Sequence, residues 1–419
     1  MGSHDFTAAR GSDPSLGPSA ADIERARAAG AGVVRATPVL SSRTLSERAG
    51  GTIALKAENL QRTGSFKLRG ALAKISALGD EGCARGVVAG SAGNHAQSVA
   101  YAARARDVAC EVFMPTDASI GKSESAAALG ATIHRVRGTV DECVAAARER
   151  AAEGGLAFVH PFDDLDIVAG QATLGLELLE EVSDLARIVV PVGGGGLAAG
   201  IALAVKAQRP AVEVVGVQVE GCAPYPDSLR RGEPIGVTSA TTIADGIAVK
   251  RPGDLTLPLV QRWLDGVEVV AEDVVAEAMV LLLERAKLVV EGAGAVGVAA
   301  LVSGVVAPAP SGTTVVVLSG GNVDAGLLAA VARRHETEAG RRLVLLTRIS
   351  DRPGGLAALL ACIAETGASI VDVSHVREGL DLHVRETAVE LVLETRGHAH
   401  AEEVLAAIAG AGYAAETIS

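Results

Sequence analysis

The sequence predicts an α/β protein, a mostly parallel sheet covered by helices on both faces, followed by a small βαββαβ module. Three observations predict it. Apolar, β-branched runs alternate with amphipathic helical runs, the rhythm a parallel sheet requires. The chain is 49% hydrophobic with 49 glycines, and several glycines end apolar runs, where a strand must turn tightly into a helix. A charged, turn-rich stretch at 333–342 then separates this alternation from about eighty residues of a different pattern.

In chain order, residues 1–20 are rich in Gly, Ser, Asp and Pro and lack the basic-then-apolar layout of a signal peptide, so they read as a disordered tail. Residues 21–29 read as helix and 37–43 as an extended entry. Strand and helix then alternate: strand 86–90, helix 94–105, strand 108–114, helix 123–129, strand 131–136, helix 140–152. Helix 170–182 follows, with Leu174, Leu178 and Val182 on one face. Strand 186–192, helix 197–207, strand 212–219, a long helix 273–289 and strand 314–318 complete this part. Residues 333–342 read as a linker. Beyond it come strand 343–349, a loop 350–354, helix 356–366, strands 368–376 and 387–395, helix 399–409 and strand 413–418, a ferredoxin-like order. The expected domains are therefore 21–335 and 336–419.

Composition excludes several function classes. The formal charge is -12 and the pI about 5.3. With one Trp and three Tyr, such a chain is a poor nucleic-acid binder by charge or by stacking. No apolar run reaches the ~18 residues of a membrane span. The five cysteines, Cys83, Cys110, Cys143, Cys222 and Cys362, are far apart and show no metal or redox spacing, which fits a reduced, cytoplasmic setting.

Three strand-ending turns are built of small residues: Ser91 to His95, Gly193 to Gly196, and Ser319 to Asn322. In parallel sheets, ligands bind at such carboxyl ends, so the three are expected to share one crevice. Gly193, Gly194, Gly195 and Gly196 follow the apolar run Ile188 to Val192. Their backbone N–H groups can converge on an anion, and the dipole of the next helix adds roughly 0.3–1 kcal/mol. No Lys-Ser/Thr follows, so this is not a nucleoside-triphosphate loop. Gly292 to Gly297 spells G-x-G-x-x-G, but a helical run rather than a strand precedes it, which argues against a dinucleotide site and against a nicotinamide-dependent oxidoreductase. Ser91 and Asn94 can be read as helix caps or as ligand donors. Lys67 follows the turn Gly64-Ser65-Phe66 and opens an apolar helical run. If buried there, its pKa falls and its amine becomes a nucleophile; otherwise it is a solvated surface charge.

Together, Gly64 to Gly70, Ser91 to Ala96, Pro191 to Leu197, Asp245 to Val249, Glu291 to Ala295 and Ser319 to Asn322 resemble, in order, the fold-type-II pyridoxal-phosphate enzymes, specifically the threonine dehydratases. That family's tryptophan synthase β-like fold has two α/β subdomains. The resemblance implies that Lys67 holds pyridoxal 5'-phosphate covalently and shuttles the Cα proton. Gly193, Gly194, Gly195, Gly196 and Leu197 would bind the phosphate, Asn94 the ring's 3-hydroxyl and Ser319 its nitrogen, while Phe66 flanks the ring. Ser91, Ala92, Gly93, Asn94 and His95 would hold the substrate carboxylate, with Glu291 and Gly246 bordering the pocket. The implied reaction turns L-threonine into 2-oxobutanoate and ammonia, and L-serine into pyruvate, in isoleucine biosynthesis or threonine catabolism.

A serine racemase is the alternative inside the fold. Racemases of this kind carry a hydroxyl base where this chain has Ala92, which favours elimination. Their cation site corresponds to Glu220 to Pro226, where Pro226 replaces an expected carboxylate, so no metal is expected. A non-catalytic amino-acid sensor is the alternative outside it. The tail resembles an ACT domain: Asp351 to Gly354 matches its first loop and Ala368 to His375 its second strand. That implies a regulatory site at Asp351 and Gly354, a branched-chain amino-acid effector, and a homodimer or homotetramer.

Overall fold

The computed structural model describes residues 17–377 and 383–418. Most of the expected tail, residues 1–16, lies outside them. Ser19 already caps the first helix, Ala20–Gly30, through its side chain on the Asp22 N–H at 3.2 Å. Residues up to Asp324 form one compact unit and those from Ala325 onward a second.

The first unit carries strands β1 (Val39–Ser41), β2 (Thr52–Lys56), β3 (Val87–Gly90), β4 (Cys110–Pro115), β5 (Thr132–Val136), β6 (Ala157–Phe158), β7 (Leu185–Pro191), β8 (Glu213–Val219), β9 (Gly266–Val270) and β10 (Thr313–Val317). They make two sheets, in keeping with the two α/β subdomains that the family resemblance implies, where the strand-helix alternation alone reads as one sheet. One has the order β1-β2-β10-β7-β8-β9, the other β5-β4-β3-β6. Every pairing is parallel except β1 with β2. Alternation of strand and helix reveals parallel pairing but not which strands share a ladder. The core is aliphatic: β7, β8 and β10 bury Ile188, Val189, Val214, Val217, Val315 and Val317 completely, and Tyr225 is the one aromatic among the largest fully buried side chains.

The structure corrects three expectations. The long helix 273–289 stops at Ala286, where its last turn widens and Lys287 takes a left-handed φ of 59°. The linker at 333–342 is helical through Glu338, as part of Ala325–Glu338. Strands β2 and β9 and the helix Thr256–Trp263 were not expected at all. Gly292–Val302 is one helix, preceded by an irregular stretch and not by a strand.

In the second unit, β11 (Arg342–Ser350), β12 (Ser369–Val376), β13 (Glu386–Glu394) and β14 (Ala415–Thr417) pair antiparallel in the order β12-β13-β11-β14. Helices Gly355–Glu365 and His398–Gly410 contribute Leu359, Ile363, Val404 and Ile408 to its core. Among the described residues, no helix is long and apolar enough to cross a membrane.

Candidate active site

Lys67 is aimed by its neighbours in sequence. The segment before it runs alongside the end of β10: Phe66 N–H donates to Ser319 O at 3.0 Å, and Gly321 N–H to Gly64 O at 2.9 Å. Gly64 has a φ of 72°, and a Cβ there would lie 2.3 Å from Asn322 Oδ1, so only glycine fits. This places Lys67, the first residue of helix Lys67–Gly82, beside Ser319. Its Nζ donates to Pro161 O at 2.8 Å and lies 5.4 Å from the centroid of the Phe66 ring. The residue is half-buried, and surrounding protein strips water from the amine. That burial lowers the pKa to about 8, against the pull of Glu291.

A buried ionic lattice anchors the same helix. Arg69, 2% exposed, forks onto Glu58 at 2.8 and 2.9 Å and onto Glu177 at 2.6 and 2.9 Å. Lys56 binds Glu177 and Glu181 at 2.9 and 2.8 Å. Burial alone would favour protonated Glu58, yet Arg69 holds its pKa below the usual value.

The turn after β3 meets the turn after β10 at Glu291. Gly93 N–H donates to Ser91 Oγ at 3.1 Å. Asn94, which starts helix Asn94–Arg104, donates from Nδ2 to Glu291 Oε1 at 2.7 Å and accepts from Asn322 Nδ2 at 2.8 Å. A Cβ on Gly320 would lie 2.2 Å from Glu291 Oε1, and one on Gly246 3.3 Å from it. Glu291 is 4% exposed. Burial raises its pKa to about 7, helped by Asp245 and opposed by Lys122, Asn94 and Lys67. The His95 ring is buried 2.9 Å from Val159 O. Burial and then Lys67 lower its pKa to about 3, so the ring is neutral and Nε2–H donates to that carbonyl. Ala92 offers only a methyl group.

The tetraglycine turn after β7 is shaped by contacts the sequence did not reveal. Gly195, with a φ of 94°, caps helix Gly196–Gln208. A Cβ on Gly194 would lie 2.1 Å from the Phe162 ring, and one on Gly195 2.0 Å from Tyr225 Oη. Gly194 O accepts from Tyr225 Oη at 3.1 Å and Thr256 Oγ1 at 2.6 Å. Asp163 Oδ1 accepts from the N–H groups of Leu255 and Thr256 at 3.0 Å each. With that carbonyl tied by Tyr225 and Thr256, the first-turn N–H groups of Gly196–Gln208 have the arrangement that suits an anion. Phe162 packs against Gly194 and Gly196, while Pro161 next to it takes the hydrogen bond of Lys67. Amine and glycine turn therefore both rest on the Pro161–Phe162 segment. A glycine turn free of side chains at a helix N-terminus, an amine of lowered pKa and the 3% exposed Ser319 suit pyridoxal phosphate.

Pro161, Phe162, Tyr225 and Thr256 carry no sequence signal: each acts through a carbonyl, a ring or a hydroxyl far along the chain from the lysine or glycine it touches. Asp245 stood in a recognised segment but had no role, and Lys122 stood in none. In the second unit, Asp351 and Gly354 line a pocket with Arg352, His375, Arg377 and Thr387. Asp351 Oδ1 lies 3.7 Å from Arg377 Nη2.

Comparison with known proteins adds four findings. The profile of the family described as "Pyridoxal-phosphate dependent enzyme" matches residues 31–321. An L-threonine ammonia-lyase of Thermotoga maritima is 43% identical over 392 residues, 94% of this chain and 97% of that protein. The fold is similar to that of the tomato (Solanum lycopersicum) threonine deaminase isoform 2 in its processed form (TM-score 0.69, 32% identity, covering 75% of this chain and 94% of that one). It is also similar to maize serine racemase (TM-score 0.72, 35% identity, covering 77% and 99%).

Proposed function

The chain belongs to the pyridoxal-phosphate dependent enzymes, and from that premise we propose that it is an L-threonine ammonia-lyase, converting L-threonine to 2-oxobutanoate and ammonia. The observation that carries this reading is the Lys67 amine, with a pKa of about 8, bonded to Pro161 O while the adjoining Phe162 packs on the tetraglycine turn. The relative that matches nearly the whole chain bears that activity in its name.

When bound, pyridoxal phosphate supplies an electron sink for the pair left behind as the Cα proton departs. The remaining work falls to the chain. Gly193 to Leu197 would hold the phosphate by backbone N–H groups and the helix dipole. With the group bound, Ser319 would contact the ring nitrogen, Asn94 the 3-hydroxyl and Phe66 the flank of the ring. The turn from Ser91 to His95 receives the carboxylate, the His95 ring bracing it from behind. Lys67 takes the Cα proton, which an amine with a pKa near neutrality does far better than an ordinary lysine. The same arrangement accepts L-serine and releases pyruvate. Ala92 carries no group that could return a proton from the opposite face, so elimination is favoured over racemisation despite the likeness to maize serine racemase.

Three further readings belong to this proposal. The second unit is a regulatory ACT domain that binds a branched-chain amino acid at Asp351 and Gly354, a reading supported by its strand order and pocket. The protein acts as a homodimer or homotetramer, supported by Ile370 and Val371 on β12, 37% and 62% exposed. It works in the cytoplasm, in isoleucine biosynthesis or threonine catabolism, supported by its five free thiols.

The test is a visible spectrum of the purified protein with a 2-oxo acid assay on threonine and serine. Lys67→Ala should lose the cofactor band and 2-oxobutanoate formation together. Undiminished product formation by that variant would reject the mechanism.

A further inference from the structure

Lys122 has no part in the reaction as described so far. It stands in the first turn of helix Ile120–Ala128, on the side of the four-stranded sheet, with 12% of its side chain exposed. Its Nζ donates to Asp245 Oδ2 at 2.8 Å. Asp245 opens the single turn Asp245–Ile247, whose Ile247 packs against Gly193. Nearby, Ser119 Oγ donates to Asp324 Oδ1 at 2.6 Å, a second tie from the same stretch. Lys122 also leans over the turn after β3: a Cβ on Gly93 would lie 3.8 Å from its Cδ and 4.0 Å from its Nζ. Burial works against its charge, but Asp245, Asp324 and Glu291 outweigh burial and raise the pKa, so the group is a cation. Asp245 is 59% exposed, so the pair is shared with water and readily exchanged. Gly93 and Ala92 put no side-chain charge into this turn, and the His95 ring is neutral.

We propose that Lys122 reads the α-carboxylate of the incoming amino acid. Its ammonium shares that carboxylate with the backbone of the 91–95 turn, and Asp245 keeps it aimed while no substrate is present. The proposal rests on the lyase reading and deepens it. Lys122 contributes charge recognition in the ground state and the transition state alike, so its removal weakens binding rather than the chemical step.

The experiment uses the full-length, cofactor-loaded enzyme. Lys122→Gln should raise KM for L-threonine roughly ten- to a hundredfold, the worth of one charge-assisted hydrogen bond, and leave kcat within about threefold. Lys122→Arg should recover most of the loss. L-Threonine amide, which has no carboxylate, should inhibit wild type and Lys122→Gln with the same constant. An unchanged KM, or an amide weakened as much as the acid, overturns the proposal. Should Lys122→Gln lose its cofactor band, the wild type decides: added salt must raise KM for threonine without moving the inhibition constant of the amide, and a KM flat with salt overturns it. Failure of the lyase reading looks different, because the loaded wild type would then form no 2-oxobutanoate at all.

Discussion

Glu291 puts a carboxyl group where water scarcely reaches, with Asn94 as its donor and Lys67 and Lys122 nearby. Its pKa in the folded protein, about 7, lies above the ordinary 4.5. The folded state therefore holds this proton more tightly than the unfolded chain does. Stability falls as pH rises from about 4.5 to about 7, and the penalty persists above that. Glu291→Gln keeps the acceptor for Asn94 and removes the charge. The cofactor-free variant should be more stable than wild type by up to about 3 kcal/mol above neutrality, with no advantage in acid below the ordinary carboxylate pKa. Thermal unfolding followed by circular dichroism at both pH values checks this; an equal advantage at both would refute the burial account. Legibility at this scale is uneven. Lys67 and the tetraglycine turn were visible because each sits at a chemical boundary, where an apolar run meets small residues. The lowered pKa of Lys67 was stated in the sequence only as a condition, since the burial that causes it comes from distant segments.

Among the elements, three helices touch backbone to backbone. A Cβ on Gly170 would lie 2.5 Å from Gly70 Cα, and one on Gly200 2.6 Å from Val168 O. The helix that bears Lys67 and the helix that follows the tetraglycine turn thus both lean on Leu165–Glu181. Gly170→Ala should push the first of these away and cost about 1–3 kcal/mol by overpacking, read as a lower denaturant midpoint at unchanged slope. A midpoint equal to wild type would show that the helices can shift freely. The Leu174 and Leu178 face of the middle helix was legible from its spacing. The lattice joining Arg69 to Glu177 was not, because its partners stand 108 residues apart and nothing local marks a buried arginine. The misread linker has a physical reason too. Its charges alternate at helical spacing, and Arg334 meets Glu338 at 2.8 Å, so a polar, solvent-facing helix looks like a loop by composition alone.

For the molecule as a whole, the open question is control. If the second unit senses a branched-chain amino acid, adding isoleucine or valine to the intact enzyme should shift the apparent KM for threonine about five- to a hundredfold, a coupling of ~1–3 kcal/mol. Asp351→Asn should shrink that response without changing the effector-free rate. Kinetics unmoved by either amino acid would leave the unit without a regulatory role. The order of its strands was legible because each short apolar run is bounded by turn residues. The pairing of ten strands into two sheets in the larger unit was not, since parallel neighbours are joined only through crossovers that the sequence does not rank.

The helix Thr256–Trp263 gives the protein a gauge of its own loading. Its first residue hydrogen-bonds Gly194 of the tetraglycine turn, and its last is the one tryptophan of the chain, about 11 Å away at 1.5 Å per residue. Ultraviolet light absorbed by that indole is then emitted within transfer range of a near-visible chromophore seated in the crevice. Filling the pocket should dim the emission, and removing the vitamin should restore it, so occupancy can be followed by fluorescence alone, with no dye attached.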